Sequence, residues 1–486
     1  MIYKLRPYQE ECVKSISDYI NSDRHDPVLI VGPVGCGKSL LIAEAARLMG
    51  DKTLILQPSK ELLQQNHDKI TSYGIPATIY SASCGKKELS NMIYATLGSI
   101  KKVVDKLKEM GIRNVLIDEA HTGYSPEDGS EFMTFMNELK PKKVIGFTAT
   151  PCRLKTMSIG QVSYSQLNFI TRMRPVYFRN LIHVIQVEEM IRQGFWTPLK
   201  YETWDFNGDA LKLNSNGSEY TAESISEAVR KNGLNNLILR RLMVLKDVCR
   251  SILVFMDSVE SCNTAAEWMN AKICAGMAEV VHGGTPKKQR EAIVEGFKSG
   301  KTKVVFNYSA LGTGFDHPGL DCVIVGRPTF SFSSFYQWLG RAVRIKDGKD
   351  SALVVDCCNN SSRFGDIREL SIENYKGYGW GMFIGDKLIT NIPMGDKVTK
   401  TDMDIKAAKK DRRRGLAQGI TASPVPGRPD HPLGSTVMTF GKYSGWMLHS
   451  IPVSYFKFIN ETFDWDNDRN KEIKEYIDFL IKNNRL

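Results

Sequence analysis

Lys38 and Ser39 close the run Gly32-Pro33-Val34-Gly35-Cys36-Gly37-Lys38-Ser39, whose spacing G-x-x-x-x-G-K-[ST] suits a phosphate cradle. Gly32, Gly35 and Gly37, with Cys36 among them, let backbone N–H groups curl around the β- and γ-phosphates of a nucleotide such as ATP. Lys38 adds a point charge, and Ser39 offers a hydroxyl to Mg²⁺. A structural glycine turn is the plainer reading, but the flanks oppose it. Val28-Leu29-Ile30-Val31 before the run reads as a buried parallel strand, and Leu40 to Leu48 after it has helical composition.

A second chemical pair follows the apolar run Asn114-Val115-Leu116-Ile117. Asp118 would hold Mg²⁺ through its water shell, and Glu119 is suited to orient and deprotonate a water that attacks the γ-phosphorus. Alone, Asp-Glu after a strand is more often a polar turn. Strand ends of an open α/β sheet gather at one edge, however, which brings this pair to the phosphate loop. Gln337-Trp338-Leu339-Gly340-Arg341-Ala342-Val343-Arg344 supplies a third group, two arginines at helical spacing. Its plainer reading is a pair of surface ion-pair arginines.

In order along the chain these stretches resemble superfamily 2 helicases and translocases. Asp118-Glu119-Ala120-His121 is the DEAH form of that family's box, and Gln337 to Arg344 has the Q-x-x-G-R-x-x-R form of its motif VI. Leu5-Arg6-Pro7-Tyr8-Gln9 is similar to the glutamine motif, Thr148-Ala149-Thr150-Pro151 to motif III, and Lys303 to Asp316 to motif V. The resemblance implies two tandem RecA-like parallel-sheet domains, ATP and Mg²⁺ as cofactors, and nucleic-acid-stimulated hydrolysis. It further implies that Gln9 reads the adenine edge and that Gly314 and Asp316 serve the nucleotide. Gln337, Arg341 and Arg344 would complete the site from the second domain. Pro58, Ser59, Thr96 and Thr313 would touch the nucleic-acid backbone.

These groups need positioning elements, and the chain divides accordingly. Residues 1–155 are expected as the ATP-binding domain, 156–200 as a connection and 201–395 as the second RecA-like domain. Within the last, Tyr375 to Ile389 reads as an aromatic hairpin with a Gly-Asp turn. Its aromatics suit either base stacking or cover for a sheet edge. The connection carries Phe195-Trp196-Thr197-Pro198, which reads equally as a duplex contact or a packed linker. Residues 396–432 form a basic, then proline-rich linker. From Lys397 to Arg414 it holds five lysines and three arginines against three aspartates, and Lys409, Lys410, Arg412 and Arg413 are its candidate phosphate contacts.

Residues 433–486 read as a small α+β module. It resembles one appended to exonuclease-type and phage DNA-processing proteins, patterned F-G-K-Y-x-G and then I-P-x-x-Y-x-x-F. Lys442 and Tyr443 are its candidate nucleic-acid contacts, set against the reading that its aromatics only fill a small core.

The bulk composition agrees with a nucleic-acid partner. The chain has 486 residues and a formal charge of +11. No apolar run approaches membrane-spanning length, so a cytoplasmic protein is expected, in a host cell if it is phage-encoded. Ten cysteines without a C-x-x-C pair, and eight histidines without metal-ligand spacing, argue against structural metal. The expected function is an ATP-dependent DNA helicase or translocase acting on forked, branched or single-stranded DNA, with replication or recombination proteins as candidate partners. The alternatives are an RNA helicase and a non-enzymatic DNA-junction binding protein.

Overall fold

The computed structural model describes residues 4–50, 52–122, 124, 129–159, 162–312, 315–375, 378–394, 398–404, 432–439, 443, 447–451, 453–462, 465 and 470–483. They form two compact units, Met1–Lys397 and Val398–Leu486.

The first unit holds two parallel-sheet RecA-like lobes. Lobe 1 contains β1 (Val28–Val31), β2 (Thr53–Leu56), β3 (Thr78–Ser81), β4 (Lys86–Lys87), β5 (Met92–Ala95), β6 (Asn114–Ile117) and β7 (Lys143–Thr148). Every residue of β1, β2, β5, β6 and β7 is buried, as expected of parallel strands covered on both faces. Each buried Val, Leu or Ile in such a strand contributes about 1.5–3 kcal/mol. Beyond the hairpin of β8 (Cys152–Ile159) and β9 (Val162–Phe169), β10 (Asn180–Val184) adds an edge strand, giving the order β10-β1-β7-β6-β2-β5-β3-β4. The stretch expected only as a connection thus pairs parallel with β1. Its residues are half-buried or exposed, which is why no apolar run announces it.

Because β1, β7 and β6 are neighbours, the loops that leave their C-terminal ends lie side by side. Those loops carry Gly32–Ser39, Thr148–Thr150 and Asp118–His121. Lobe 2 repeats the plan with β11 (Leu199–Thr203), β12 (Ile252–Phe255), β13 (Ala278–His282), β14 (Val304–Tyr308), β15 (Cys322–Val325) and β16 (Ala352–Asp356), ordered β11-β16-β15-β12-β14-β13 and parallel throughout. The helix Phe332–Leu339 follows β15 and delivers Gln337 and the arginine turn.

The expected aromatic hairpin is three strands, β17 (Leu370–Tyr375), β18 (Gly379–Ile384) and β19 (Lys387–Leu388), with Gly385-Asp386 joining the last two. Its backbone at Ile372 exchanges two hydrogen bonds with the Gln186 side chain, at 2.8 and 3.2 Å. Phe383 is fully buried, and the half-buried Trp380 packs one side against the core.

In the second unit, helices Val453–Thr462 and Lys471–Lys482 enclose a core of Met438, Leu448, Ile451, Phe456, Ile459, Ile473, Tyr476, Ile477 and Leu480.

Candidate nucleotide site in the cleft between the lobes

The phosphate loop follows β1 through two left-handed glycines, Gly35 (φ 82°) and Gly37 (φ 84°), a conformation that side chains with a Cβ rarely adopt. Gly37 also has no room for one: a Cβ would stand 2.6 Å from Gln9 Nε2. Gln9 Nε2 donates to Cys36 O (2.9 Å), its Oε1 accepts from Arg6 N (3.0 Å), and Tyr8 OH donates to Cys36 O (3.2 Å). The glutamine motif therefore buttresses the loop from behind. Cys36 is fully buried, and burial pushes its thiol up, which leaves it a packing group beside Gly32.

Lys38 begins the helix Lys38–Met49 and holds its Nζ 3.7 Å from Glu119 Oε1. Burial opposes its charge, but Glu119, with Cys36 and Asp118, outweighs that cost and raises the ammonium above its ordinary value. Asp118 Oδ2 accepts from Asn66 Nδ2 (3.0 Å) and Oδ1 from Glu119 N (2.9 Å). Burial and then Glu119 push Asp118 up to about 7, the electrostatic environment of an acid pair that a divalent cation would relieve. Glu119 sits at φ 45°, a left-handed backbone that costs a residue with a Cβ on the order of 1–3 kcal/mol. Its Oε2 is buried and accepts no hydrogen bond among the described residues.

Arg341 and Arg344 come to the same place from the opposite lobe. A cleft of about 320 Å³ is lined by Gly35, Gly37, Lys38, Ser39, Asp118 and Glu119 on one side and by Asp316, Gln337, Gly340, Arg341 and Arg344 on the other. Arg341 donates to Phe315 O and Gly312 O, both at 2.5 Å, and its Nε is buried without a partner among the described residues. Burial pulls Arg341 down to about 10 against the opposing charge of Glu119, a cost that an anion in the cleft would further offset. Arg344 pairs with Asp316, a partner for that carboxylate which the sequence does not suggest. Buried polar atoms without a hydrogen bond among the described residues, Glu119 Oε2 on lobe 1 and Arg341 Nε on lobe 2, and the glycine cradle of lobe 1 fit a triphosphate with its cation.

The lobes touch directly. A Cβ on Gly340 would stand 2.4–3.0 Å from Val34 side-chain atoms, so glycine lets the phosphate loop dock on the arginine turn. Trp196 Nε1 donates to Val34 O (2.9 Å). His121 Nδ1 meets Thr148 Oγ1 at 2.7 Å, and its Nε2 meets Ser333 Oγ of lobe 2 at 3.1 Å; Thr150 Oγ1 lies 3.1 Å from the same hydroxyl. Burial pulls His121 down to about 4, leaving the ring neutral at pH 7. A second cavity of about 550 Å³ shares Leu62, Glu119 and Gln337 with the first and is lined by Pro58, Ser59, His121, Arg153 and Ser333.

The structure thus brings Lys38, Ser39, Asp118, Glu119, Asp316, Gln337, Arg341 and Arg344 together. Ser59 caps the helix Lys60–Ser72 by accepting from Leu62 N, and Thr96 hydrogen-bonds Ser99 and Ser81 on lobe 1. Tyr443 packs edge-on against Tyr455 at 4.7 Å. Thr313, Gly314, Lys409, Lys410, Arg412, Arg413 and Lys442 lie outside the described residues. Sequence reasoning missed Asn66, Ser333 and Arg6, whose guanidinium lies 4.6 Å over the Phe195 ring at the cleft margin. Among the described residues, no cluster of three or more His, Cys, Asp or Glu could hold a metal, and no helix is long and apolar enough to cross a membrane.

Comparison with known proteins agrees with this geometry. Residues 2–153 match the family described as "Type III restriction enzyme, res subunit", and residues 235–346 match the "Helicase conserved C-terminal domain". A "51.5 kDa protein" of Lactococcus phage (isolate 7-9) is 25% identical over 332 residues, covering 68% of this chain and 65% of its own length. "ATP-dependent DNA helicase Hel308" of Pyrococcus horikoshii is 25% identical over 376 residues, covering 69% of this chain and 49% of its own. The chain therefore spans less than two thirds of either relative. The DNA-bound structure of the ATP-dependent Type ISP restriction-modification enzyme LlaBIII shares the fold, with a TM-score of 0.53 at 15% identity over 73% of this chain and 28% of that one. The chain is thus similar to helicases over both lobes of its first unit, and it shares the fold of an ATP-dependent enzyme bound to DNA.

Proposed function

We propose, from the premise of a superfamily 2 motor, that this protein is an ATP-dependent DNA helicase or translocase. The observation that carries the proposal is the single cleft lined by Lys38 and the acid pair from lobe 1 and by Arg341 and Arg344 from lobe 2.

The loop N–H groups and Lys38 would hold the β- and γ-phosphates, and the base would lie toward Arg6 and Phe195, which line the cleft, while Gln9 supports the loop from behind. Mg²⁺, held by Ser39 and through water by Asp118, would supply positive charge against the phosphate oxygens. Glu119 orients the attacking water and takes its proton. Arg341 and Arg344 stabilise the charge that develops on the γ-phosphoryl group, an effect available only while the cleft is closed. Moving Arg344 from Asp316 to phosphate exchanges one anionic partner for another, which spares it a desolvation cost. Opening and closing of the cleft then alternates the grip of the two lobes on a strand lying across both.

Support for DNA comes from the names of two similar proteins, a DNA helicase and a DNA-bound restriction enzyme, and from the net charge of +11. Pro58, Ser59, Thr96, Thr313, the basic run Lys409 to Arg413, Lys442 and Tyr443 are the proposed strand contacts. Forks and four-way junctions in replication, recombination or repair are the proposed substrates, and the cytoplasm is the proposed location. The test is phosphate release with matched DNA and RNA, followed by unwinding of labelled forks. Stimulation by DNA supports the reading. Stimulation by RNA alone overturns the substrate, and turnover that responds to neither overturns the motor.

A further inference from the structure

The turn that carries the arginines is held from outside by two residues that belong to none of the motifs. Thr197 N donates to Val343 O (2.8 Å), and its Oγ1 donates to Arg344 O (2.7 Å). Lys349 Nζ donates to Ala342 O (2.7 Å), Arg344 O (2.8 Å) and Pro318 O (3.2 Å). The carbonyls of Ala342, Val343 and Arg344 are therefore all fixed by side chain or backbone of these two residues. Thr197 is 2% exposed, so no water competes for its hydroxyl. The residues just before it reach lobe 1: Trp196 donates to the phosphate-loop carbonyl of Val34, and Phe195 packs edge-on against Tyr8 at 5.3 Å. One short segment, Phe195–Thr197, thus touches the glutamine motif, the phosphate loop and the arginine turn in succession.

We infer that Thr197 and Lys349 are positioning residues that keep Arg341 and Arg344 in register with the phosphate loop during hydrolysis, which rests on the cross-cleft role proposed above for those arginines. The ammonium of Lys349 has three donors and three carbonyl acceptors, while a neutral amine has only two donors. Burial pulls Lys349 down to about 8, with Arg344 and Lys346 adding to the shift and Asp321 opposing it. The neighbouring His317 is neutral at that pH because burial and nearby lysines pull it down to about 4. Deprotonation of Lys349 as the pH rises through about 8 removes its charge and leaves two donors for the carbonyls of Ala342, Arg344 and Pro318, which loosens its hold on the turn, and hydrolysis falls. Arginine at this position stays charged over the same range.

The test uses the 486-residue chain with saturating DNA. kcat and KM for ATP are measured from pH 6.5 to 9.5 for the wild type, Lys349→Met, Lys349→Arg, Thr197→Val, Thr197→Ser and Arg344→Ala. Lys349→Met and Thr197→Val are expected to lower kcat by about tenfold with KM little changed, the signature of misplaced catalytic groups. Thr197→Ser restores the rate, and Lys349→Arg moves the alkaline fall to higher pH. A slow Arg344→Ala beside wild-type kcat in Lys349→Met and Thr197→Val overturns the inference, as does an unmoved alkaline limb in Lys349→Arg should Lys349→Met not fold. An Arg344→Ala that turns over at the wild-type rate instead defeats the arginine reading on which the inference stands.

Discussion

The two faces of the cleft are built by different means. On lobe 1 the candidate groups follow directly from strand ends: β1 runs into Gly32–Ser39, β6 into Asp118-Glu119 and β7 into Thr148, and parallel pairing sets all three at one edge. On lobe 2 the arginine turn follows a helix rather than a strand, and what fixes it are hydrogen bonds from the distant Thr197 and from Lys349 a few residues further on, with a docking contact to Val34. A face assembled from neighbouring strands is rigid by construction. A turn held by side chains outside its own helix can be loosened without disturbing a sheet, and substitutions should separate the two faces accordingly.

The largest effect is expected on lobe 1. Lys38→Ala or Glu119→Gln should reduce phosphate release by about 10³-fold or more, because the first removes the charge of the phosphate loop and the second the base proposed for the attacking water. Unaltered turnover in either variant would place the chemistry elsewhere. At the contact between faces, Gly340→Ala puts a methyl within 2.4–3.0 Å of Val34 side-chain atoms. Overpacking of this kind costs about 1–3 kcal/mol, so turnover should fall roughly tenfold or more while nucleotide binding to lobe 1 persists. Equal losses of binding and turnover would mean that the lobes do not dock as described.

A smaller effect is expected from Ser333→Ala, which removes the hydroxyl shared by His121 and Thr150. Each such bond contributes about 0.5–1.5 kcal/mol, so stimulation of hydrolysis by DNA should drop by several-fold with the basal rate preserved. A proportional loss of both rates would make Ser333 structural only. The last effect concerns stability rather than turnover. His121 is pulled down to about 4 in the folded protein, whereas in the unfolded chain it titrates near 6.5. The unfolded state therefore binds the extra proton first, and stability present above about 6.5 is lost as the pH falls toward 4. Chemical denaturation of His121→Asn should show a shallower acid loss than the wild type, and identical slopes would remove His121 from that account.

Legibility in the sequence follows the same division. Val28–Val31 and Asn114–Ile117 are strands over the residues their apolar runs suggest, and the glycine loop lies between a strand and a helix as its spacing requires. Those signals are contiguous. Asn66 reaches Asp118 across 52 residues of chain and Ser333 reaches His121 across 212, so nothing local marks either. β10 is hidden for another reason: its half-buried edge position leaves Asn180-Leu181-Ile182-His183-Val184 without the all-apolar signature of the inner strands. Thr197 and Lys349 act on backbone carbonyls, and a carbonyl has no residue type for a pattern to reveal.

The most direct test of the two-lobed site is single-turnover ATP hydrolysis by Arg344→Ala, measured beside its nucleotide affinity. Loss of a cross-cleft arginine should slow the chemical step by about 10²-fold or more while ATP still binds through the loop and Lys38. Hydrolysis at the wild-type rate with Arg344 gone would show that lobe 2 does not complete the site.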